Sequence, residues 1–147
     1  MNSHPGSPVP QGLLRFEHIG MAVRDFQPAV AHYTLLGYTC DEPIHETFQN
    51  VEVVFCRSPR QPTVELIRPV DETSPVANLL KKRQEMLYHL CYVTDDLEAA
   101  LAALEEKNRV ICISPAKPTV LFPELQAAFY HVHGVGLMEI LFPPPAA

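Results

Sequence analysis

The stretch that organises the chain is Leu87-Tyr88-His89-Leu90-Cys91-Tyr92-Val93, which Thr94-Asp95-Asp96-Leu97 follows directly. The first segment is short and mostly apolar, with one histidine inside it. An apolar and aromatic run of this length, ended by polar residues, predicts a β-strand. An aspartate in front of an apolar periodic segment predicts the first turn of a helix. The whole stretch is therefore predicted to be a strand that carries a histidine and leads into a helix.

The same order of residue types occurs once before, in Phe16-Glu17-His18-Ile19-Gly20-Met21-Ala22-Val23 and the Arg24-Asp25-Phe26 that follows. The two histidines are 71 residues apart, and the same offset superposes Asp25 on Asp96. A histidine inside a strand, used twice in register, indicates an internal duplication with one metal ligand in each half.

Each half continues with the same predicted series of elements. The hydrophobic periodicity predicts one strand, one helix and three further extended segments in each, which is a βαβββ module. The chain is therefore predicted to be an α+β protein with modules at residues 14–70 and 87–142. In the first module the predicted elements are a strand at 14–23, a helix at 27–36 and strands at 38–46, 51–56 and 63–69. In the second they are a strand at 87–94, a helix at 97–107 and strands at 109–114, 126–132 and 137–142.

The segments outside the modules have the composition of linkers. Residues 71–86 are a predicted linker with a short helix behind Ser74 and Pro75, the residue types of a helix start. Residues 1–13 are a predicted disordered lead without signal-peptide features, and residues 143–147 a tail. Residues 115–124 contain three prolines and are predicted to form a loop.

The composition excludes several function classes. The net charge of −6, from 11 basic and 17 acidic residues, argues against a nucleic-acid surface. No apolar run approaches the roughly 18 residues of a membrane span. The cysteines lack CxxC spacing and lie in or next to predicted strands, which predicts buried thiols in a reducing compartment and hence a cytoplasmic protein. They are Cys40, Cys56, Cys91 and Cys112.

The last predicted strand of each module contains one carboxylate among apolar residues. Glu65 lies 47 residues after His18, and Glu139 lies 50 residues after His89. Burial of a polar side chain inside a strand costs free energy unless the side chain has a hydrogen-bonding or charged partner. The repetition of a histidine and a glutamate at matched offsets therefore indicates a function. Two imidazoles and two carboxylates make a site for one divalent metal ion, and zinc, cobalt, nickel, manganese and magnesium all remain open.

From about Arg15 to Phe142 the chain resembles the vicinal oxygen chelate superfamily, which includes glyoxalase I, extradiol dioxygenases and bleomycin resistance proteins. The motifs Phe16–Val23, Val64-Glu65-Leu66-Ile67-Arg68-Pro69 and Tyr88–Val93 are most similar to those of the methylmalonyl-CoA epimerase branch. The resemblance implies paired modules whose curled mixed sheet encloses a metal-binding cavity, and it implies homodimers. It also implies metal ligands at His18, Glu65, His89 and Glu139.

The resemblance further implies a metal-dependent isomerase or lyase that abstracts a proton alpha to a metal-chelated carbonyl, with an acyl-CoA or 2-oxo compound as substrate. In the epimerases Glu139 would act against a second glutamate three residues before Val51, where this chain has Phe48. Glu46 is a candidate substitute for that base. Gln49 is close to it in sequence. Glu52 is a third candidate for the base, although its strand position between Val51 and Val53 favours a solvent-facing side chain.

Other residues are candidates for contact with the substrate. Lys117 could hold a phosphate or a carboxylate, and His131 could point toward the cavity. Phe48 and Gln49 complete the predicted substrate-binding set. Two alternative functions stay open: an enzyme that tailors a secondary metabolite with the metal retained, and a resistance protein that binds a small molecule without a metal.

Overall fold

A computed structural model describes residues 8–146 of the 147-residue chain. The predicted lead and tail fall partly on residues 1–7 and 147, which lie outside the described residues. The elements of the first half are β1 (Arg15–Val23), α1 (Phe26–Leu35), β2 (Thr39–Cys40), β3 (Ile44–Glu46), β4 (Val51–Ser58) and β5 (Gln61–Pro69). After α2 (Pro75–Leu79), the second half contains β6 (Glu85–Val93), α3 (Leu97–Glu105), β7 (Val110–Pro118), β8 (Gln126–Val132) and β9 (Gly136–Phe142).

The nine strands of the described residues form one mixed sheet. Its order is β2-β4-β5-β1-β6-β9-β8-β7, and β3 pairs with β4 beside this path. The first strands of the two halves, β1 and β6, pair antiparallel at the centre. Each also pairs in parallel with the last strand of its own half, β1 with β5 and β6 with β9. The α+β prediction with a curled mixed sheet is confirmed, and the sheet is not closed into a barrel.

Equivalent aspartates begin the two longer helices. Asp25 Oδ1 accepts a hydrogen bond from Gln27 N–H at 3.0 Å, and Asp96 Oδ1 accepts one from Ala99 N–H at 3.0 Å. Each satisfies a backbone donor that the first turn of a helix leaves free. The residues that the sequence repeat superposes therefore have the same function in both halves.

The sheet has two faces with different partners, because successive side chains of a strand point to opposite sides. The outer face packs against α1 around Val54 and Leu66, and against α3 around Ile140. On the opposite, inner face lie a second apolar cluster around Phe55 and Ile67 and the polar residues described below.

The structure corrects three predicted boundaries. The extended segment at 38–46 contains Pro43 and is divided into β2 and β3. The linker helix, predicted from about Val76 to Gln84, ends at Leu79, and β6 begins at Glu85, two residues before its predicted start. Strand β7 continues to Pro118, into the predicted loop at 115–124. It is an edge strand, which tolerates a proline where the backbone nitrogen faces solvent and not the neighbouring strand. No helix of residues 8–146 is long and apolar enough to span a bilayer.

Candidate active site

The two histidines and two glutamates predicted as ligands lie together on the inner face of the sheet. They come from the four central strands: His18 from β1, Glu65 from β5, His89 from β6 and Glu139 from β9. One potential ligand atom from each lies within 4.8 Å of the others, and all four residues are buried. The two halves of the chain therefore each contribute one histidine and one glutamate to a single cluster.

Both imidazoles present Nε2 to the centre of this cluster. His18 Nε2 lies 2.8 Å from Glu65 Oε2 and 3.3 Å from His89 Nε2. Glu139 Oε1 lies between the two rings, 3.3 Å from His18 Nε2 and 3.2 Å from His89 Nε2. Four potential donor atoms thus face a common point.

The charges of this cluster shift its pKa values strongly. Burial alone would lower the pKa of His18, but the Glu65 carboxylate, together with contacts to Cys91, Glu139 and Glu17, raises this pKa far above its usual range. Burial alone would raise the pKa of Glu139, and the neighbouring His89 and His18 rings instead bring it well below its usual range. Without another cation, the carboxylates hold a proton on an imidazole.

The donor set fits a divalent metal ion. Two ligands that each lie about 2.1 Å from one ion, at right angles to each other, are about 3.0 Å apart. The separations of 2.8 to 3.3 Å between the facing atoms are close to this spacing. A cation would also offset the burial of two carboxylates next to each other. The residues present therefore suit an ion held by two nitrogen and two oxygen atoms.

The position of His89 depends on a glycine opposite it. Gly20 of β1 is the register partner of His89, and a Cβ atom on Gly20 would lie 2.4 Å from His89 Cε1. Such a contact is far below van der Waals distance, so the ring occupies space that only a glycine leaves free. This role of Gly20 was not predicted from the sequence, although a glycine inside a predicted strand was a usable signal.

An irregularity in β6 brings Tyr88 to the site. The β1–β6 register moves from Gly20–His89 to Met21–Leu87, which leaves Tyr88 as an extra residue on β6. A bulge of this kind redirects a side chain. The Tyr88 ring lies 5.1 Å from the His89 ring. Burial, together with the carboxylates of Glu139 and Glu65, raises the pKa of Tyr88 to about 12, so its hydroxyl keeps its proton at neutral pH.

Aromatic rings line the site on the β4 side. The Phe55 ring meets the His18 ring edge-on, with 5.6 Å between centroids. The Phe122 ring stacks parallel to His18, with a centroid separation of 6.3 Å and a 2° angle between the planes. We call residues 119–125, which connect β7 to β8, the cap segment. Phe122 therefore places the cap segment against a predicted metal ligand.

Glu46 holds the beginning of the cap segment. It is fully buried, and its Oε2 accepts hydrogen bonds from the Thr119 hydroxyl and from Val120 N–H, the latter at 3.0 Å. Its Oε1 accepts a hydrogen bond from Phe48 N–H at 3.0 Å. Both carboxylate oxygens are thus engaged by the protein itself, and Glu46 is not a member of the histidine–glutamate cluster.

The predicted substrate-contact residues lie at the rim. Lys117 pairs with Ala127 and His131 with Leu137, and both pairs continue the inner-face rows of β8 and β9. Lys117 and His131 are exposed. Phe48 is 47% exposed and Gln49 is half-buried in the turn before β4. The structure therefore brings together the four predicted metal ligands, while these four residues stay outside their cluster.

Comparisons with known proteins place the chain in a family. Residues 17–129 match the family described as the Glyoxalase/Bleomycin resistance protein/Dioxygenase superfamily. This match covers more than half of the chain, which belongs to that superfamily.

Several relatives found by sequence are epimerases. Bovine mitochondrial methylmalonyl-CoA epimerase is 34% identical over 119 residues, which are 80% of this chain and 67% of the relative. An ethylmalonyl-CoA/methylmalonyl-CoA epimerase of Cereibacter sphaeroides is 35% identical over 94 residues, 63% of this chain and 69% of the relative. The predicted resemblance to the methylmalonyl-CoA epimerase branch is confirmed.

Solved structures agree on the fold. Methylmalonyl-CoA epimerase of Mycobacterium tuberculosis superposes with a TM-score of 0.73 at 24% identity, over 94% of both chains. A variant of the Streptomyces coelicolor methylmalonyl-CoA epimerase, in complex with 2-nitronate-propionyl-CoA, superposes with a TM-score of 0.67 at 23% identity, over 90% of this chain and 99% of that one. The chain therefore has the vicinal oxygen chelate fold.

Proposed function

We propose that this protein moves the proton alpha to the thioester carbonyl of an acyl-CoA such as methylmalonyl-CoA, as an epimerase. The observation that carries the proposal is the convergence of His18, Glu65, His89 and Glu139 at one buried point. The epimerase relatives supply the reaction class. The comparisons do not favour the tailoring enzyme or the metal-independent resistance protein as alternatives.

The four clustered residues are proposed to hold one divalent ion, so that the enzyme depends on a metal. A bound ion of this kind supplies Lewis acidity, which polarises a carbonyl and acidifies the adjacent C–H group. His18 and His89 would bind it through Nε2, because these atoms face the centre. Ligands of mixed nitrogen and oxygen type suit several metals, so the identity of the ion is left to metal analysis.

Glu139 is the residue proposed to move the proton. It is buried, and its Oε1 faces the common point of the cluster, beside the carbonyl that a bound ion would polarise. Its Oε1 is oriented by the two histidine rings. A carboxylate fixed in this way takes the proton from one face of the α-carbon, and epimerisation then requires that a proton be delivered to the opposite face by a second donor.

Glu46 is proposed as a positioning residue. The sequence predicted it as the substitute for the base that Phe48 replaces. Its three hydrogen bonds, from Phe48, Thr119 and Val120, support a different role, because they hold the cap segment that places Phe122 on His18. A covered site excludes water and strengthens the electrostatic interactions inside it.

The rim residues are proposed to bind the polar parts of the substrate. Lys117 carries an exposed positive charge for a phosphate or carboxylate group, and His131 lies on the same inner face. Gln49 and Phe48 are proposed to contact the substrate from the turn before β4. The homodimer and the cytoplasmic location stay predictions, and light scattering and cell fractionation would test them.

The deciding experiment is α-proton exchange in D₂O. Metal-loaded protein is incubated with methylmalonyl-CoA, and deuterium in the acyl group is followed by mass spectrometry. We expect exchange by the natural chain and by Glu52→Gln, whose carboxylate pairs with Arg68 outside the cluster. Exchange should be lost in Glu139→Gln. Equal rates in Glu139→Gln and the natural chain would refute the assignment of Glu139, and absence of exchange from all three would refute this substrate.

A further inference from the structure

Two cysteines face each other at one edge of the sheet. Cys40 of β2 is the register partner of Cys56 of β4, and their Sγ atoms are 2.7 Å apart. Because both thiols are free, the pair is a dithiol. No part of the proposed acyl-CoA chemistry uses it.

The backbone hydrogen bonds between β2 and β4 show whether Cys40 and Cys56 form a hydrogen-bonded or a non-hydrogen-bonded pair. Asp41 N–H donates to the Phe55 carbonyl at 2.8 Å, so Asp41 and Phe55 form the hydrogen-bonded pair. Such pairs alternate with non-hydrogen-bonded ones in antiparallel strands. Cys40 and Cys56 therefore form the non-hydrogen-bonded pair, in which the Cα atoms approach to about 4.5 Å. This separation lies within the range of about 4.4 to 6.8 Å that disulfides span.

The strands are already held in this register by an ion pair next to the cysteines. Arg57 lies opposite Thr39 and pairs with the Asp41 carboxylate. The guanidinium group also lies over the Phe55 ring, 4.6 Å from its centroid. Covalent S–S distance is about 2.05 Å, so bond formation needs a movement of only about 0.7 Å.

The two thiols differ in accessibility. Cys56 is fully buried, whereas Cys40 is half-buried in a strand of two residues. Burial raises the pKa of the Cys56 thiol, and the neighbouring Cys40 adds to this effect. An external reagent therefore meets Cys40 first, and Cys56 is placed to react second.

We propose that Cys40 and Cys56 are a redox modification site, which a low-molecular-weight disulfide such as oxidised glutathione converts into an intramolecular disulfide. The Cys40 thiolate attacks one sulfur of the reagent and breaks its S–S bond, which forms a mixed disulfide and releases one small thiol. Cys56 loses its proton and attacks Cys40 Sγ, which releases the second thiol. Two electrons and two protons pass from the protein to the reagent, and excess small thiol reverses the reaction.

The test uses the full chain with Cys112→Ser, because Cys112, which the sequence predicted to be buried, is exposed on the edge strand β7 and would form its own mixed disulfide. Oxidised glutathione is added to the folded protein, and its intact mass is measured under acid conditions. We expect a loss of about 2 Da, the mass of two hydrogen atoms, and a return to the starting mass with reduced glutathione. The Cys112→Ser chain has three cysteines. After unfolding, thiol titration should therefore find three thiols in the reduced protein and one in the oxidised protein.

Peptide mapping identifies the bond. The chain has no lysine or arginine between Arg24 and Arg57, so trypsin leaves both cysteines in one peptide. A glutamyl endopeptidase cuts at Glu42, Glu46 and Glu52 and separates them unless they are cross-linked. We expect a linked pair of peptides that contains Cys40 and Cys56.

The control is Cys40→Ser in the Cys112→Ser background, which changes a half-buried residue and leaves the core intact. It should show no 2 Da loss. The proposal is overturned if the Cys112→Ser protein keeps its mass, if the linked peptides contain Cys91, or if the Cys40→Ser control loses 2 Da as well. None of these outcomes depends on catalytic activity.

Discussion

Gly20 and His89 face each other across the central strand pair, with the imidazole in the space that a side chain on Gly20 would fill. A Cβ atom on Gly20 would lie 2.4, 2.6 and 2.7 Å from three atoms of the ring. The backbone of one half of the chain thus shapes the position of a ligand from the other half. This contact couples the two halves of the chain at the candidate metal centre.

Gly20→Ala is expected to displace the His89 ring and weaken metal binding by at least about tenfold, since misplaced ligand groups typically cost 10- to 100-fold in affinity. Overpacking should also destabilise the fold by about 1–3 kcal/mol. Metal affinity is measured by calorimetry. The control is Met21→Leu, on the opposite face of the same strand. Natural affinity in a folded Gly20→Ala protein would contradict the close packing.

Metal removal provides a second prediction. A ligand that binds only the folded protein stabilises it by about 2.7 kcal/mol at a free concentration of 100 times Kd. Chelation should therefore lower the unfolding free energy of the natural chain by this amount, as measured by urea denaturation. The double variant His18→Ala/His89→Ala should show no such effect. Metal retained by the double variant at natural stoichiometry would show that the site lies elsewhere.

Substitution of Thr119 distinguishes a positioning role of Glu46 from a role in proton transfer. Thr119→Val removes the hydroxyl that donates to Glu46 and leaves the carboxylate in place. Loss of one donor to a buried acceptor costs about 1–3 kcal/mol, so the cap segment should loosen and kcat/KM fall about tenfold with metal still bound. Thr119→Ser keeps the hydroxyl and should retain activity.

A comparison of Glu46→Gln with Thr119→Val decides between the two roles of Glu46. If it positions the cap segment, Glu46→Gln and Thr119→Val should reduce α-proton exchange to a similar degree. Complete loss of exchange in Glu46→Gln, with natural exchange in Thr119→Val, would instead identify Glu46 as a residue that transfers the proton.

Asp71 gives a pH-dependent prediction. Its carboxylate accepts hydrogen bonds from the Thr73 hydroxyl and backbone N–H and from the Asn50 side chain, and these contacts lower its pKa. A lowered pKa adds stability above the usual value of 3.8, and that stability is lost as the pH falls through the folded-state pKa. Asp71→Asn should therefore lower the thermal midpoint at neutral pH and have little effect in strong acid. An equal change in the thermal midpoint at both pH values would show that the lowered pKa of Asp71 is not the source of this stability.

Much of the site was predictable because the chain repeats itself. Duplicated strands place equivalent residues at equivalent positions, so the matched offsets of His18–Glu65 and His89–Glu139 identified the clustered residues without coordinates. The edge-strand extension to Pro118 was not predictable. Its prolines indicated a loop, and only the sheet order shows that β7 lies at an edge, where they are tolerated.

The sequence by itself determined the elements of each half, the aspartate caps and the four polar residues that converge, because these depend on local periodicity and on the repeat. Tertiary structure alone decided three contacts between residues distant in the chain: the space that Gly20 leaves for His89, the hold of Glu46 on Thr119, and the stacking of Phe122 on His18. Such contacts depend on sheet curvature, bulges and register, and these follow from the packing of the whole chain.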